Sequence, residues 1–406
     1  MIARRHQVAL ALTALLTSAA ACQARDHRPT DRPGRPAPSA ARGFTLVASG
    51  DILPHTAVID RARFDAGGAG GAGGTGDVGG TGGVGGVGSA AGSGYDFRPM
   101  FEGARSVVSR ADLALCHLDT PYGANGDYTG HPLFRSPPEI AQALAATGYD
   151  GCSTASDHSL DDGAAGVQRT LDALDAVGVR HAGTARTEAE GNSVTLLRAG
   201  RATVAHLAYT DGTGGQPLPP GQPWTVNLAD ENRIVADAKA ARKAGADVVV
   251  VSVHGGTAWQ DAPDDRRLAL ARTLTASRTD GRPDIDLILG ARTHVPQAYE
   301  KVNGTWVVYG LGDQIAGEMV NRQGVQDPRG SQSTVARFTF GPPARPGGRW
   351  EVRKAEFVPQ MFDIDAGRVV DLDQALAQGA GVAGVRDRIR DVVLSRGAAK
   401  DGLVMG

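Results

Sequence analysis

"GYDGCSTASDHSLDDGAAG" (residues 148–166) places a run of small residues before the adjacent Asp157 and His158. A helical pattern follows, with apolar residues on one face from Val167 to Val177 and Gly178 at its end. The order is therefore strand, polar loop and helix. In open α/β sheets, ligands bind just beyond the carboxyl ends of strands. The stretch predicts an α/β fold with a carboxylate and an imidazole at such an end.

The same unit recurs along the chain. Apolar runs that end in polar residues are FTLVASGD (44–51), ADLALCHLDTP (111–121), ADVVVVSVHGG (246–256), IDLILGARTHVPQ (285–297) and TWVVYGLGDQI (305–315). The residues at these ends are Asp51, His117, Asp119, His254, Arg292, His294 and Asp313. Strand ends on one edge of a sheet meet in space, so these side chains can converge although they are far apart in sequence.

Aspartate and histidine at several strand ends are typical ligands of divalent transition metals. The candidates are Asp51, Asp119, Asp157, His158, His254 and His294. A single histidine of this kind is more often structural, but the repeated pattern favours one shared site. The chain has no G-x-S-x-G motif and no P-loop, and its cysteines do not have zinc-site spacing. Glycoside hydrolysis by Asp119 and Asp157 stays open, because spacing alone does not exclude it.

The length and net charge of the chain bear on its domain number and on its class of partner. At 406 residues, the chain is long enough for one large domain or two ordinary ones. Its formal net charge is −2, and no basic run follows the N-terminus. A nucleic-acid-binding surface is therefore not expected.

The N-terminus has the pattern of an export signal. Residues 1–22 contain a charged start, a short apolar run and small residues before Cys22, which predicts a signal peptide with a lipobox-like end. Lipidation of Cys22 would anchor an exported protein to the outer face of the membrane. Cleavage after an A-x-A site and free secretion is the alternative. Residues 23–42, rich in proline and arginine, are predicted to be a disordered linker.

Three further segments carry predictions. Residues 65–94 are Gly-rich and match G-x-G-x-x-G, but no strand leads into them and no apolar helix follows, so a flexible loop insertion is predicted. Cys116 and Cys152 can form a disulfide in an exported protein or remain a buried thiol pair. Residues 361–406 are predicted to form a small helical C-terminal tail.

Six blocks, taken in chain order, resemble the CapA-type capsule and poly-γ-glutamate synthesis family (PGA_cap). They are SGDILPH, CHLDTP, STASDHSLDDGAAG, VSVHGG, GARTHVPQ and YGLGDQI. The connecting segments GVRHAGTARTEAE and AHLAYTDG are similar to its actinobacterial branch. The resemblance implies a metallo-dependent phosphatase-like fold over residues 43–360, a four-layer α/β/β/α sandwich of two sheets flanked by helices.

The resemblance also implies roles for individual residues. Metal ligands would be Asp51, Asp119, Asp157, His254 and His294. Asp119 stands where the family has a bridging glutamate, and His158 matches the phosphoesterase proton donor. Asp161 and Gly163 match the same block as His158.

Departures from the family pattern lie at the centre of the predicted site. Asp157 and Asp313 replace asparagines, His117 replaces the asparagine of N-L-E, and Arg292 replaces the first histidine of G-H-H-P-H. The segment HGGTA has lost the usual tryptophan and glutamate. Arg292 suits carboxylates, so we expect it to pair with Asp157 or Asp313 where a second metal would sit. One metal, bound by Asp51, Asp119 and His294, or none would remain. In the alternative, Arg292 contacts the phosphate of the substrate as a catalytic residue beside His158, and Asp157 still binds metal.

The sequence thus predicts an exported CapA-type protein that acts in the synthesis or attachment of capsule, poly-γ-glutamate or a related cell-envelope polymer. The expected cofactor is a divalent metal (Mn, Zn or Fe), with one ion, two ions or none. The expected partner is an anionic cell-surface polymer or a phosphoester substrate. The alternative is a catalytically weakened envelope protein that binds an anionic polymer.

Overall fold

A computed structural model describes residues 43–68, 94–321, 323–345 and 348–406. The predicted signal peptide (1–22) with Cys22, the predicted linker (23–42) and most of the Gly-rich segment lie outside these described residues. The first residues of that segment, Asp65 to Gly68, form the end of a helix, which corrects the predicted boundary at residue 65.

The described ranges contain strands and helices in alternation. The strands are β1 (Phe44–Ile52), β2 (Leu113–Leu118), β3 (Gly151–Ser153), β4 (Arg180–Ala182), β5 (Thr195–Ala199), β6 (Ala202–Thr210), β7 (Val248–His254), β8 (Arg278–Thr279), β9 (Arg282–Pro283), β10 (Leu287–Ala291), β11 (Tyr299–Val302), β12 (Thr305–Val308), β13 (Asp313–Ile315), β14 (Gln332–Gly341), β15 (Glu351–Asp363), β16 (Arg368–Asp371) and β17 (Leu403–Met405). The α-helices are α1 (Thr56–Gly68), α2 (Glu102–Ser109), α3 (Glu139–Thr147), α4 (Gly163–Ala176), α5 (Glu188–Gly191), α6 (Glu231–Lys243), α7 (Asp265–Ala276), α8 (Leu372–Ala377) and α9 (Ala383–Leu394). No helix within these ranges has the length and apolar character needed to cross a membrane.

Two mixed sheets form the framework. The first has the strand order β16-β15-β14-β1-β2-β3-β4, with β13 beside β1 and β17 beside β15. The second has the order β11-β12-β10-β7-β6-β5. β1 to β4 are parallel to one another, and so are β6, β7, β10 and β12. The carboxyl ends of neighbouring parallel strands therefore lie together at one edge of each sheet.

Successive side chains of a strand point to opposite faces of its sheet, and this alternation divides the apolar core into layers. In β1, Leu46 packs between the two sheets, whereas Val47 packs against the helices outside the first sheet. In β7, Val250 packs between the sheets, whereas Val251 packs with α6 and α7 outside the second sheet. The layers are helix, sheet, sheet and helix. The predicted metallo-dependent phosphatase-like α/β/β/α sandwich is confirmed.

A bulge in β1 directs Asp51 into the space between the sheets. The register of β1 against β2 pairs Ala48 with Leu115 and then Asp51 with His117, so β1 contains one extra residue. Such a bulge reverses the face on which the following side chains lie. Gly50 permits the close approach of Gly312 beside the bulge, because a Cβ there would lie 1.9 Å from the carbonyl oxygen of Gly312.

Two expectations about elements are corrected. The segment 305–315 is not one strand: β12 ends at Val308 in the second sheet, and β13 begins at Asp313 beside β1 in the first. Residues 361–406 contain the expected helices α8 and α9, but they also contain β16 and β17, which pair with β15. The C-terminal segment is therefore part of the first sheet through the pairing of β16 and β17 with β15. Its apolar residues Ile389 and Leu403 also pack into the core between the sheets.

Cys116 and Cys152 lie opposite each other on the parallel strands β2 and β3 and form a disulfide, with their Cα atoms 4.4 Å apart. Both side chains are buried against the helices outside the first sheet. Of the two alternatives from the sequence, the structure contains the disulfide.

His206 is a buried histidine whose replacement is expected to change the acid stability. It lies on β6, where its Nε2 is 2.9 Å from the hydroxyl of Ser252 and its Nδ1 has no partner among the described residues. Burial lowers the pKa of His206 to about 4. Because the folded pKa lies below the unfolded value of about 6.5, the unfolded chain takes up the proton first and stability falls as the pH falls through this window.

The free energy of unfolding should fall between pH 7 and pH 5 in both proteins. We expect this fall to be about 2 kcal/mol smaller in His206→Gln than in the wild type, because the variant has no imidazole to protonate. Urea unfolding at a series of pH values measures this difference. The matched control is Val204→Ala, a buried change on the same strand that carries no titrating group. Parallel pH profiles for the wild type and His206→Gln would contradict the expectation.

Candidate metal centre

The inner faces of the strands continue directly into a polar cluster at their carboxyl ends. In β2, Leu113 and Leu115 belong to the core between the sheets, so His117 and Asp119 follow on the same face. In β7, Val248 and Val250 set the same alternation for His254. The apolar pattern that builds the core thus also places these polar groups together.

Two groups of described residues have ligand atoms close enough to hold a metal ion. The first is Asp51, His117 and His254, and the second is Asp119, Asp157 and His254. Within each group, the ligand atoms all lie within 4.8 Å of one another. His254 belongs to both groups, so the two positions overlap.

The buried carboxylates provide the strongest sign of a cation. Neither Oδ1 nor Oδ2 of Asp119 has a well-aligned hydrogen-bond partner among the described residues, and Oδ1 of Asp51 also lacks one. Both side chains are completely buried. Burial and the neighbouring Asp157 raise the pKa of Asp119 well above its ordinary value, and burial and Asp313 do the same for Asp51. The side chain of Ser156 lies near Asp119 but offsets its rise in pKa only in part. Oxygen and imidazole donors in this arrangement fit a divalent transition metal.

Asp157 differs because it is already paired. Its Oδ1 accepts a hydrogen bond from Nε2 of His254 at 2.7 Å, and its Oδ2 accepts one from Nε of Arg292 at 3.0 Å. Burial alone would raise the pKa of Asp157, but His254, His158 and Arg292 together lower it below its ordinary value. The predicted pairing of Arg292 with one of the two substituted aspartates is therefore present, with Asp157 as the partner.

The backbone of the loop after β10 is unusual. Arg292 and His294 have φ angles of 81° and 59°, and Trp259, in the loop after β7, has 70°. Side chains other than glycine rarely adopt this left-handed region, and such strained residues cluster at functional sites. The backbone N–H of Arg292 donates to Oδ2 of Asp51 at 2.7 Å, and its Nη1 donates to the carbonyl oxygen of Gly256 at 2.7 Å. These contacts hold the conformation.

His158 lies at the rim with a fixed ring. Its Nδ1 is 2.7 Å from Oδ2 of Asp161, which also accepts the backbone N–H of Phe134 at 2.7 Å. The Phe134 ring packs edge-on against the imidazole, with the ring centroids 4.6 Å apart. Nε2 is left to face Asp157, whose Oδ1 is 3.9 Å away. The side chain is 20% exposed, so this nitrogen can meet a substrate.

The imidazole of His294 lies beside the carboxylate of Asp313. Its Nδ1 lies 3.1 Å from Oδ2 of the buried Asp313, which is adjacent to Asp51 across β13 and β1. Although burial opposes it, Asp313 raises the pKa of His294. His294 belongs to neither of the two groups of close ligand atoms, so the expected set of Asp51, Asp119 and His294 stays a prediction. The compact sets contain His254 instead.

Sequence reasoning did not assign a role to two residues that contribute to the site. His117 was named as a strand-end residue and as a departure from the family pattern but was given no role, yet it contacts His254 directly. Its position two residues before Asp119 on the same strand was the available signal. Trp259 packs against His294 in a tilted arrangement, with the ring centroids 5.4 Å apart. Nothing in its spacing indicated this.

The relatives that share sequence similarity with the chain include two CapA proteins. The "Capsule biosynthesis protein CapA" of Bacillus anthracis is 24% identical over 236 residues, which cover 52% of this chain and 56% of the relative. The "PGA biosynthesis protein CapA" of Bacillus subtilis is 29% identical over 182 residues, which cover 44% of this chain and 45% of the relative. The chain thus spans about half the length of these relatives.

Among solved structures, a phosphatase from Mycoplasma pneumoniae aligns with 79% of this chain and 94% of its own length, at 12% identity and a TM-score of 0.42. This score is low, so the description of the fold rests on the sheets and layers of the chain itself. The family model for "Bacterial capsule synthesis protein PGA_cap" matches residues 45–318, which is more than half of the chain and contains every block of the site described above. The chain belongs to the PGA_cap family of bacterial capsule synthesis proteins.

Proposed function

We propose that this chain is a metal-dependent hydrolase or transferase that acts on an anionic polymer of the cell envelope, at a phosphoester or γ-glutamyl-type bond. The observation that carries the proposal is the buried Asp119, whose two oxygens have no well-aligned hydrogen-bond partner in the described part of the chain and lie at ligand distance from Asp157 and His254. A buried carboxylate without a partner is costly unless a cation compensates it. Family membership supports the polymer as substrate.

The residues that would hold a divalent ion are Asp119, Asp157 and His254, with Asp51 beside them. A bound divalent ion supplies Lewis-acid chemistry that polarises a substrate oxygen. The protein contributes the geometry: Arg292 fixes Asp157 through Nε, and the carbonyl oxygen of Gly256 holds the guanidinium in place.

Two side chains would act on the substrate itself. His158 is oriented by Asp161, so its Nε2 can pass a proton to a leaving group at the rim. Arg292 is 33% exposed, and its Nη2 has no acceptor among the described residues. A guanidinium in this position can bind a carboxylate or phosphate of the polymer.

The test uses two substrates, bis(p-nitrophenyl) phosphate for phosphoester cleavage and poly-γ-glutamate for cleavage of the polymer backbone. We expect chelation to abolish activity on one of them and added Mn²⁺ or Zn²⁺ to restore it. Asp51→Asn should lower kcat/KM by at least about 100-fold, because Asp51 shapes the charge at the site. Asp175→Asn, a partly exposed carboxylate on α4, is the matched control and should leave kcat/KM unchanged. Activity on either substrate that survives chelation would contradict a metal-dependent reaction. A glycosidase that uses Asp119 and Asp157 would instead require chelator-resistant cleavage of a glycoside.

A second candidate is a binding protein for an anionic polymer with a catalytically weakened site. The ion pair of Arg292 with Asp157 favours it, because the arginine places a fixed positive charge where a metal ligand is usual in the family. Metal-free chain that binds poly-γ-glutamate in a salt-dependent manner, with no cleavage after metal loading, would support this function over the first.

We also propose that the chain is exported and anchored through Cys22. The support is the pattern of residues 1–22, in which a charged start and an apolar run precede small residues and the cysteine. Cell fractionation of the wild type and Cys22→Ser tests this proposal. Equal membrane association of the two would contradict it.

A further inference from the structure

A hydrogen-bonded series of four groups, three of them buried and the fourth, Asp157, 20% exposed, extends from β3 into the candidate metal centre. The hydroxyl of Ser153 contacts Nδ1 of His117, and Nε2 of His117 lies 2.8 Å from Nδ1 of His254. Nε2 of His254 then lies 2.7 Å from Oδ1 of Asp157. The two imidazole rings are nearly parallel, at 15°, with centroids 4.9 Å apart. Both histidines are almost completely buried, at 4% and 1% exposure.

The direction of this hydrogen-bonded chain follows from counting donors. A neutral imidazole has one N–H donor and one acceptor nitrogen. An ionised Asp157 only accepts, so His254 carries its proton on Nε2 and accepts on Nδ1. His117 must then donate from Nε2 and accept from Ser153 at Nδ1. In the metal-free protein, each group in the series therefore donates its hydrogen bond to the next one in the direction from Ser153 to Asp157.

A metal ion held through Nε2 of His254 requires the opposite direction. The lone pair of Nε2 must then face the ion, and the proton of His254 moves to Nδ1. That proton can only be donated to Nε2 of His117, so His117 carries its own proton on Nδ1 and donates it to the Ser153 oxygen. Each ring has one N–H before and after, so the net proton count of the two rings does not change.

We propose that His117 and Ser153 are positioning residues that set the tautomer of His254, and that metal binding through His254 reverses the direction of the whole chain. A partner on the second nitrogen of a ligating histidine fixes the ring and strengthens the ligand. Here this partner is another imidazole, which can accept as well as donate and therefore serves both states. His117 also belongs to the group of Asp51, His117 and His254, but the proposed function uses the group of Asp119, Asp157 and His254. In that group His117 lies behind His254, because its Nε2 faces Nδ1 of His254 and its Nδ1 faces Ser153. This inference rests on the proposed function, because it assumes a metal at His254.

The direct test is NMR spectroscopy of the full chain labelled with ¹⁵N-histidine, before and after Zn²⁺ is added. Long-range ¹⁵N–¹H correlations distinguish Nε2–H from Nδ1–H rings, and variants of the two residues assign the signals. We expect Nε2–H for both His117 and His254 without zinc, and Nδ1–H for both with zinc. A His117 that keeps Nε2–H after zinc binds, or that binds zinc directly, would overturn the proposal.

Zinc affinity measured by competition with a chelating dye gives a second readout. His117→Leu should raise the Kd for Zn²⁺ by about 10–100-fold, and Ser153→Ala should raise it by a smaller factor. His117→Gln should recover part of the loss, because its amide can accept from His254 and donate to Ser153. The matched control is Ser252→Ala, which removes the same hydroxyl from another buried histidine, His206, and should leave the Kd unchanged.

Failure of the inference can be separated from failure of the proposed function. Unchanged zinc affinity in His117→Leu, with a wild type that binds zinc, overturns the positioning role alone. A wild type that binds no zinc overturns the proposed function and with it the reversal. In that case the spectrum of the metal-free protein still tests the direction of the hydrogen bonds. An Nδ1–H signal from either ring would overturn the assigned direction from Ser153 to Asp157 as well.

Discussion

Asp119→Asn is expected to weaken divalent-metal binding by more than about 100-fold and at the same time to stabilise the metal-free chain. The loss follows because Asp119 supplies the unpartnered oxygens of the candidate metal centre, and even changes behind a ligand cost 10–100-fold in affinity. The gain follows because the variant removes a buried carboxylate that lies close to Asp51 and Asp157, whose effect outweighs the weak hydrogen bond from Ser156. We expect the free energy of unfolding to rise by about 1–2 kcal/mol at neutral pH.

The gain in stability should depend on pH in a definite direction. Burial and neighbouring carboxylates raise the folded pKa of Asp119 above its unfolded value, so the folded state binds the proton more tightly. The group therefore destabilises the folded chain increasingly as the pH rises above the unfolded value, and it has no such effect in acid. Stability curves for Asp119→Asn and the wild type should converge at low pH.

Asp161→Asn is the matched control for this prediction. Asp161 is also buried, but it accepts hydrogen bonds from His158 and from the backbone of Phe134. The same substitution should therefore destabilise the chain there. Destabilisation of metal-free Asp119→Asn, to the same extent as Asp161→Asn, would show that Asp119 has a partner in the protein and is not waiting for a cation.

The double variant Arg292→His with Asp157→Asn is expected to raise the metal content from one ion to two per chain. Arg292 places its guanidinium 3.0 Å from Asp157 and leaves no neutral ligand at that position. Histidine would supply a ligand nitrogen in place of a positive charge, and asparagine would still offer an oxygen ligand. These are the residues that the family pattern has at the two positions.

Asp157→Asn alone is the control, because it leaves the arginine in place and should not add a second ion. Elemental analysis of the variants after loading with Mn²⁺ or Zn²⁺ gives the measurement. A double variant with the same metal content as the wild type would show that Arg292 does not determine the number of ions.

The sandwich of two sheets was predicted from the resemblance of six sequence blocks to the family. The apolar runs predicted an α/β fold with polar residues gathered at the strand ends, because buried parallel strands are continuous apolar runs. Asp51, Asp119, Asp157 and His254 were predicted together for this reason, and they lie together. Asp51 was predicted from its position at a strand end and not from the alternation of side chains along β1. Strict alternation would place its side chain on the outer face, and it faces inward only because of the bulge.

Other features could not be predicted because they depend on contacts between distant segments. The break between β12 and β13 needs Gly312 to approach β1, which no local pattern reveals. β17 becomes a strand only because β15 offers an edge to pair with. The contact between His117 and His254 joins two sheets, and the positive φ angles of Arg292 and Trp259 are set by the loops around them.

The most direct test of the central claim is the metal content of the purified wild-type chain, prepared without a histidine tag and analysed before and after loading with Mn²⁺ or Zn²⁺. A centre built from Asp119, Asp157 and His254, with Arg292 at the second position, predicts one tightly bound ion per chain. Two ions per chain would contradict the role of Arg292. A chain that retains no ion after loading would contradict the metal centre itself.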